Sequence, residues 1–171
     1  KDNGVYDVDD LTSVTIESPD AANNINAQAF VGRDFVRNCV SDADGKVTLT
    51  RPVSQLNIAT TPESLGKFQD VIELKGSSVK VTGLATSYNI GTLSAFGATA
   101  TEYEYTETAV PEEALTVNGV GYTYVAMNYV GFAANDGSSD VTVSYVINTS
   151  EGDIENEIIN VPFKPNFRTN I

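Results

Sequence analysis

The sequence predicts an all-β protein: an antiparallel β-sandwich with Greek-key connections, built from seven or eight strands and one short helix. Three observations lead there. Period-two alternation of apolar and polar residues recurs along the chain between clusters of turn residues. Helical spacing is clear in a single short stretch. The composition is apolar enough for one substantial core, with 41% hydrophobic and 19% charged residues, 8 Tyr and 7 Phe. The length suits one domain, and residues 1–171 read as one β-sandwich.

In chain order, LTSVTIE places Val14 and Ile16 on one face of a strand. The stretch NAQAFVGRDFVRNCV (26–40) stays open, because Val31, Phe35 and Cys39 fit a helical face while Gly32 and the valines fit an irregular strand. In VTLTRPVSQLNIAT, Val47, Leu49 and Val53 share one parity and Leu56 and Ile58 take the other. A register shift between Val53 and Leu56 is expected, with a bulge or a change of sheet near Arg51 and Pro52, since proline cannot donate to a ladder. TTPESLGKFQD supplies the helix: Thr61 as N-cap, Pro62 at the first helical position, and Leu65 and Phe68 three apart.

SSVKVTG sets Val79 and Val81 against Ser78, Lys80 and Thr82, and TEYEYTE sets Tyr103 and Tyr105 against Glu102 and Glu104. YTYVAMNYVGF (122–132) is apolar on both parities, as in a central strand covered on both faces. DVTVSYVIN aligns Val141, Val143, Tyr145 and Ile147, and the turn TSEGD folds residues 140–161 into a hairpin. Further turns are read at SDADGK (41–46) and ANDGSSD (134–140). In the final INVPFKPNFRTNI, Val161 and Phe163 continue the hairpin's last strand, Pro162 and Pro165 end or edge it, and residues 167–171 read as a connector.

The net charge of −13, from 23 acidic and 10 basic residues, repels phosphate, so neither nucleic acid nor an anionic membrane surface is an expected partner. Histidine is absent, which removes the usual general base and the commonest zinc ligand. Cys39 stands alone, without a disulfide partner or CxxC spacing, and reads as an idle thiol. Glu102, Glu104, Glu112, Glu113, Glu155 and Glu157 could pair for glycoside hydrolysis, but each sits on a polar strand face or in a charged loop, and there is no Trp for a sugar platform. Of the acidic runs at 7–10 and 42–45, the second resembles the opening of a calcium loop but lacks the further ligands and closing Glu, since Lys46 and Val47 begin a strand, and it reads better as a hairpin turn. The sequon at Asn148 is a common chance match. No catalytic residue, cofactor site or metal site is therefore expected, and the chain reads as a non-enzyme.

Two stretches carry a family resemblance. VTLTRPVSQLNI, centred on Arg51 and Pro52, resembles the Arg-Pro strand of fimbrillin-like proteins of Bacteroidetes, the subunits of type V pili. The later run resembles the end of the N-terminal domain in that family. Its strand closes on Asn160, Val161 and Pro162, and the segment Asn166, Phe167, Arg168, Thr169, Asn170, Ile171 follows. Pro165 departs from the pattern, standing where the family more often has a basic residue.

The resemblance implies an N-terminal pilin domain, with a C-terminal β domain expected beyond residue 171 and a lipoprotein signal before Lys1. It implies export to the bacterial cell surface, outer membrane or fimbrium, membrane contact only through a lipid anchor on the precursor, and proteolytic loss of an N-terminal strand. Assembly with other pilus subunits or with itself by strand exchange would follow, and adhesion to a host surface protein or glycan is possible for such a subunit. The alternative from a different class is an Ig-like surface module that binds carbohydrate or acts as a scaffold, with Tyr103, Tyr105, Tyr122 and Tyr124 stacking on sugars; ordinary packing also accounts for those tyrosines.

Overall fold

The computed structural model describes residues 5–16, 23–32, 47–97, 101–108, 114–134 and 137–171, with the backbone alone at 25, 101–108 and 139. Twelve strands form there: β1 (Tyr6–Asp7), β2 (Val14–Ile16), β3 (Val53–Thr60), β4 (Leu74–Leu84), β5 (Ser87–Asn89), β6 (Ser94–Phe96), β7 (Thr101–Thr108), β8 (Ala114–Val117), β9 (Val120–Phe132), β10 (Ser138–Thr149), β11 (Ile154–Phe163) and β12 (Arg168–Asn170). The all-β sandwich-like class is thus the observed one, but the strand count exceeds the expected seven or eight. The unforeseen strands β1, β5, β6, β8 and β12 are two to four residues long, too short to show a period-two pattern.

The strands form three four-stranded sheets, in the orders β11-β10-β4-β7, β12-β3-β9-β8 and β1-β2-β5-β6. The first two share one core, into which Val79, Val81, Val141 and Val143 project from one sheet and Leu56, Ile58, Ala126 and Val130 from the other. Each such valine, leucine or isoleucine side chain, taken fully from water, contributes about 1.5–3 kcal/mol, and the Ala126 methyl less. The third sheet joins the same core through Tyr6, Val14 and Tyr88, with the Tyr88 and Phe132 rings 5.4 Å apart. Neighbouring strands are distant in sequence, β4 beside β10 and β3 beside β9, because the chain changes sheet after β2, β3, β4, β6, β7, β9 and β11.

β9 is buried from Tyr124 to Phe132, and β3 from Val53 to Ile58, so both are covered on both faces. That coverage explains the mixed parity of VSQLNI better than a change of sheet does. A register shift does fall at Val53/Ser54, but the extra residue is on β9: Val53 pairs Phe132 and Ser54 pairs Val130. Val47 and Leu49 lie outside the strand and are exposed. Thr50 instead bridges Val31, which settles part of the open 26–40 stretch, where Ile25–Ala27 is a single 3-10 turn.

The helix α1 (Pro62–Gln69) forms with Pro62 in its first turn, and the Oγ1 of Thr61 caps it by accepting from the Ser64 N–H. The 41–46 turn, Arg33, Arg37 and Cys39 lie outside the described residues.

Candidate functional site: a groove between two sheet edges

The hairpin of β10 and β11 makes β11 one edge of its sheet. Between Val143 and Val141 the partner strand β10 takes two steps while β11 takes three, from Ile158 to Val161. The extra residue is accommodated at Asn160, whose φ of 58° lies in the left-handed region. Asparagine tolerates that region better than other residues with a Cβ. Beyond Pro162 and Phe163 the chain turns on a Phe167 N–H bond to the Lys164 carbonyl, with Asn166 again left-handed at φ 64°. Two of the three asparagines of the C-terminal motif, Asn160 and Asn166, thus bend the backbone.

The turn delivers β12 to the other sheet, where it runs parallel to β3 as the outermost strand, with Arg168, Thr169 and Asn170 level with Gln55, Leu56 and Asn57. This pair is an exception to the antiparallel rule, and it corrects the reading of 167–171 as a connector. Backbone bonds fasten it: the Gln55 N–H donates to the Phe167 carbonyl at 3.1 Å, the Ile171 N–H to Asn57 at 2.9 Å, and the Ala59 N–H to Ile171 at 3.0 Å.

Consecutive strands therefore form edges of the two main sheets, and a groove of about 700 Å³ lies along them, lined by residues 137–138, 158–164 and 167–171. Val161 and Phe163 are buried beside it, whereas Ile159 is 64% and Phe167 56% exposed. The hydroxyl of Thr169 donates to the Pro162 carbonyl at 2.7 Å and pins the two edges together at one point. Lys164 holds its ammonium over the Phe167 ring, 5.1 Å from the centroid. The lining contains no Asp or Glu.

The Arg-Pro motif meets the C-terminal motif next to this groove. Thr50, Arg51, Pro52, Pro165 and Asn166 line one cavity of about 300 Å³ with Tyr88 and Leu93. The Ser54 hydroxyl donates to the Lys164 carbonyl at 2.9 Å. The Arg51 guanidinium lies 5.5 Å from the Phe30 ring centroid and 5.3 Å from that of Tyr129, and donates to the Gln28 Oε1 at 3.0 Å. Tyr6 donates its hydroxyl to the Ala27 carbonyl at 2.8 Å, and burial, reinforced by Tyr129 and partly offset by Arg51, pushes that phenol far above the ordinary tyrosine range. Phe30, Tyr129 and Gln28 carried no signal in the sequence, because an aromatic pair around a cation exists only once the strands are paired.

A protein-family model matches residues 1–171, and its description is Family of unknown function (DUF6562). The chain belongs to DUF6562. No curated protein matches the sequence. Among solved structures, a Bacteroides fragilis chain described as a "putative cell adhesion protein" matches with a TM-score of 0.38 at 7% identity. The match covers 72% of the DUF6562 chain, which spans 41% of that protein's chain.

None of the other sequence-predicted positions among the described residues of this DUF6562 chain lines the groove. In the 7–10 run, the Asp7 Oδ1 accepts from the Asp9 N–H and the Asp10 Oδ1 from the N–H and hydroxyl of Thr12, which holds the Asp10 carboxyl below its usual range. Among the described residues no three His, Cys, Asp or Glu side chains gather to hold a metal. Glu155 and Glu157 are exposed on β11, Glu102 and Glu104 lie on β7, and Glu112 and Glu113 fall outside the described residues. Tyr124 is buried and Tyr122 half-buried, while Tyr103 and Tyr105 are placed only by their backbone on β7. Asn148 is buried and donates to the Asp153 carboxylate at 3.2 Å. No helix among the described residues is long and apolar enough to cross a membrane.

Proposed function

We propose that this DUF6562 chain is a cell-surface fimbrial or fimbrillin-like subunit, structural or adhesive, that joins its partners by β-strand addition at the groove between β11 and β12. One observation carries the reading: two consecutive strands, both from the motif that resembles fimbrillin-like proteins, are the same-side edges of two sheets with an open groove along them. A sheet edge offers a row of main-chain donors and acceptors, which give general affinity to any extended segment. Apolar floor positions and half-covered rim residues then select the side chains of that segment. On this reading the partners are other subunits or a second copy, and the site is the bacterial surface, with a lipid anchor on the precursor.

The test is assembly. Full-length precursor trimmed by a trypsin-like protease should give SDS-resistant ladders, and Ile159→Asp in the groove should abolish them while Val71→Asp, outside the lining at an 80% exposed position, leaves them intact. Clean trimming that yields permanent monomers would remove the proposal.

A further inference from the structure

The groove runs against the charge of the rest of the molecule. The chain carries −13 overall, yet the groove's lining holds Lys164 and Arg168 and no Asp or Glu. Neither groove cation forms an ion pair with a carboxylate among the described residues. Lys164 is held at the rim by the Phe167 ring, 5.1 Å from its ammonium, and Arg168 is exposed on β12. At the far end, just before the lining begins, β11 carries the exposed Glu155 and Glu157. The groove therefore has a charge axis as well as an apolar floor.

We infer that the groove takes an acidic strand from a different protein, an extended segment with apolar side chains on one parity and Asp or Glu on the other, its carboxylates lying at the Lys164 and Arg168 end. This rests on the strand-addition reading and names its partner. The apolar parity covers Ile159 and Phe167, which are otherwise left 64% and 56% in water. The acidic parity meets two cations that have no carboxylate partner among the described residues. A whole second copy would bring another −13 against the first, whereas a short segment gains the local attraction without most of that repulsion.

Three soluble peptides of about ten residues, a usual strand length, alternate valine with glutamate, serine or lysine and are titrated by fluorescence anisotropy against the protein. The glutamate peptide should bind about fivefold more tightly than the serine one, the sum expected of two solvent-exposed pairs, and the lysine peptide more weakly than either. The advantage should shrink at high salt. The double variant K164E/R168E, at two exposed side chains, should reverse the order while leaving the thermal unfolding midpoint within a few degrees.

Equal binding of the glutamate and serine peptides would overturn the acidic partner and leave strand addition standing. If no peptide binds, or if Ile159→Asp leaves binding unchanged, strand addition itself falls. Concentration-dependent self-association of the protein that K164E/R168E abolishes would make a second copy the occupant and overturn the inference.

Discussion

The Nδ2 of Asn57 donates to the Oδ1 of Asn170 across 2.8 Å, joining residues 113 positions apart. The Gln55 Nε2 in turn donates to the Asn57 Oδ1 at 2.9 Å, so three amides form a ladder on the face shared by β3 and β12. Asn57 is fully buried, Gln55 nearly so, and the Gln55 Oε1 already lacks a protein partner. This ladder holds the outermost strand of one sheet, and with it one wall of the groove.

Asn57→Ala should therefore cost about 2–4 kcal/mol, because it removes two bonds and strands the Gln55 amide in a dry site. Urea unfolding with an unchanged slope measures it. A loss below about 1 kcal/mol would mean that water satisfies the ladder and that its contribution is small.

Asn160 and Asn166 should tolerate glycine and resist branched residues. Asn160→Val is expected to cost about 1–2 kcal/mol by forcing a β-branched side chain into the left-handed region, and Asn160→Gly less than about 1 kcal/mol. Parallel unfolding curves of the two variants decide it; equal losses would show that the asparagine side chain, not its backbone angle, is what β11 requires.

Arg51→Lys should destabilise by about 0.5–2 kcal/mol. A lysine keeps the charge but loses the planar guanidinium, 5.5 Å from the Phe30 and 5.3 Å from the Tyr129 ring centroid. Circular dichroism melts of wild type, Arg51→Lys and Arg51→Ala test this, with Arg51→Lys expected to recover only part of the Arg51→Ala loss.

Alkaline pH should weaken the fold through Tyr6. Its folded pKa is raised, so the folded state holds the proton more tightly than the unfolded chain does. The stability this represents is intact below the ordinary tyrosine value of about 10 and drains away as the pH climbs beyond it. Tyr6→Phe should cost about 0.5–1.5 kcal/mol at neutral pH, the worth of the hydroxyl's bond to Ala27, and should flatten part of the decline above pH 10. The rest of the decline includes Tyr88, whose phenol burial pushes in the same direction. An unchanged alkaline slope in Tyr6→Phe would assign the decline elsewhere.

Long alternating runs were legible in the sequence. Val79 and Val81, Val141 and Val143, and the two-faced run around Met127 became buried strands, and Thr61 with Pro62 started the helix as their chemistry dictates. The Asn118-Gly119 pair, at φ 51° and 80°, closes β8 onto β9 in a two-residue hairpin. Asn-Gly is a strong local hairpin signal, present in the sequence itself. The parallel strand at 168–170 left no such trace, because three residues have no period and their partner lies more than a hundred positions earlier.

The amino-acid sequence alone determined an all-β chain, its long strands, its helix and its central β9, because those depend on side-chain alternation and on local backbone preference. It also marked residues 159–171 by Pro162 and Pro165 and by a family resemblance. Only the tertiary structure decided that this segment forms two sheet edges and bends at Asn160 and Asn166 to reach both sheets. The same holds for its two cations, which it gathers along an apolar groove. Edge and centre are properties of pairing between distant strands, and no window of neighbouring residues encodes which strand will lack a second neighbour.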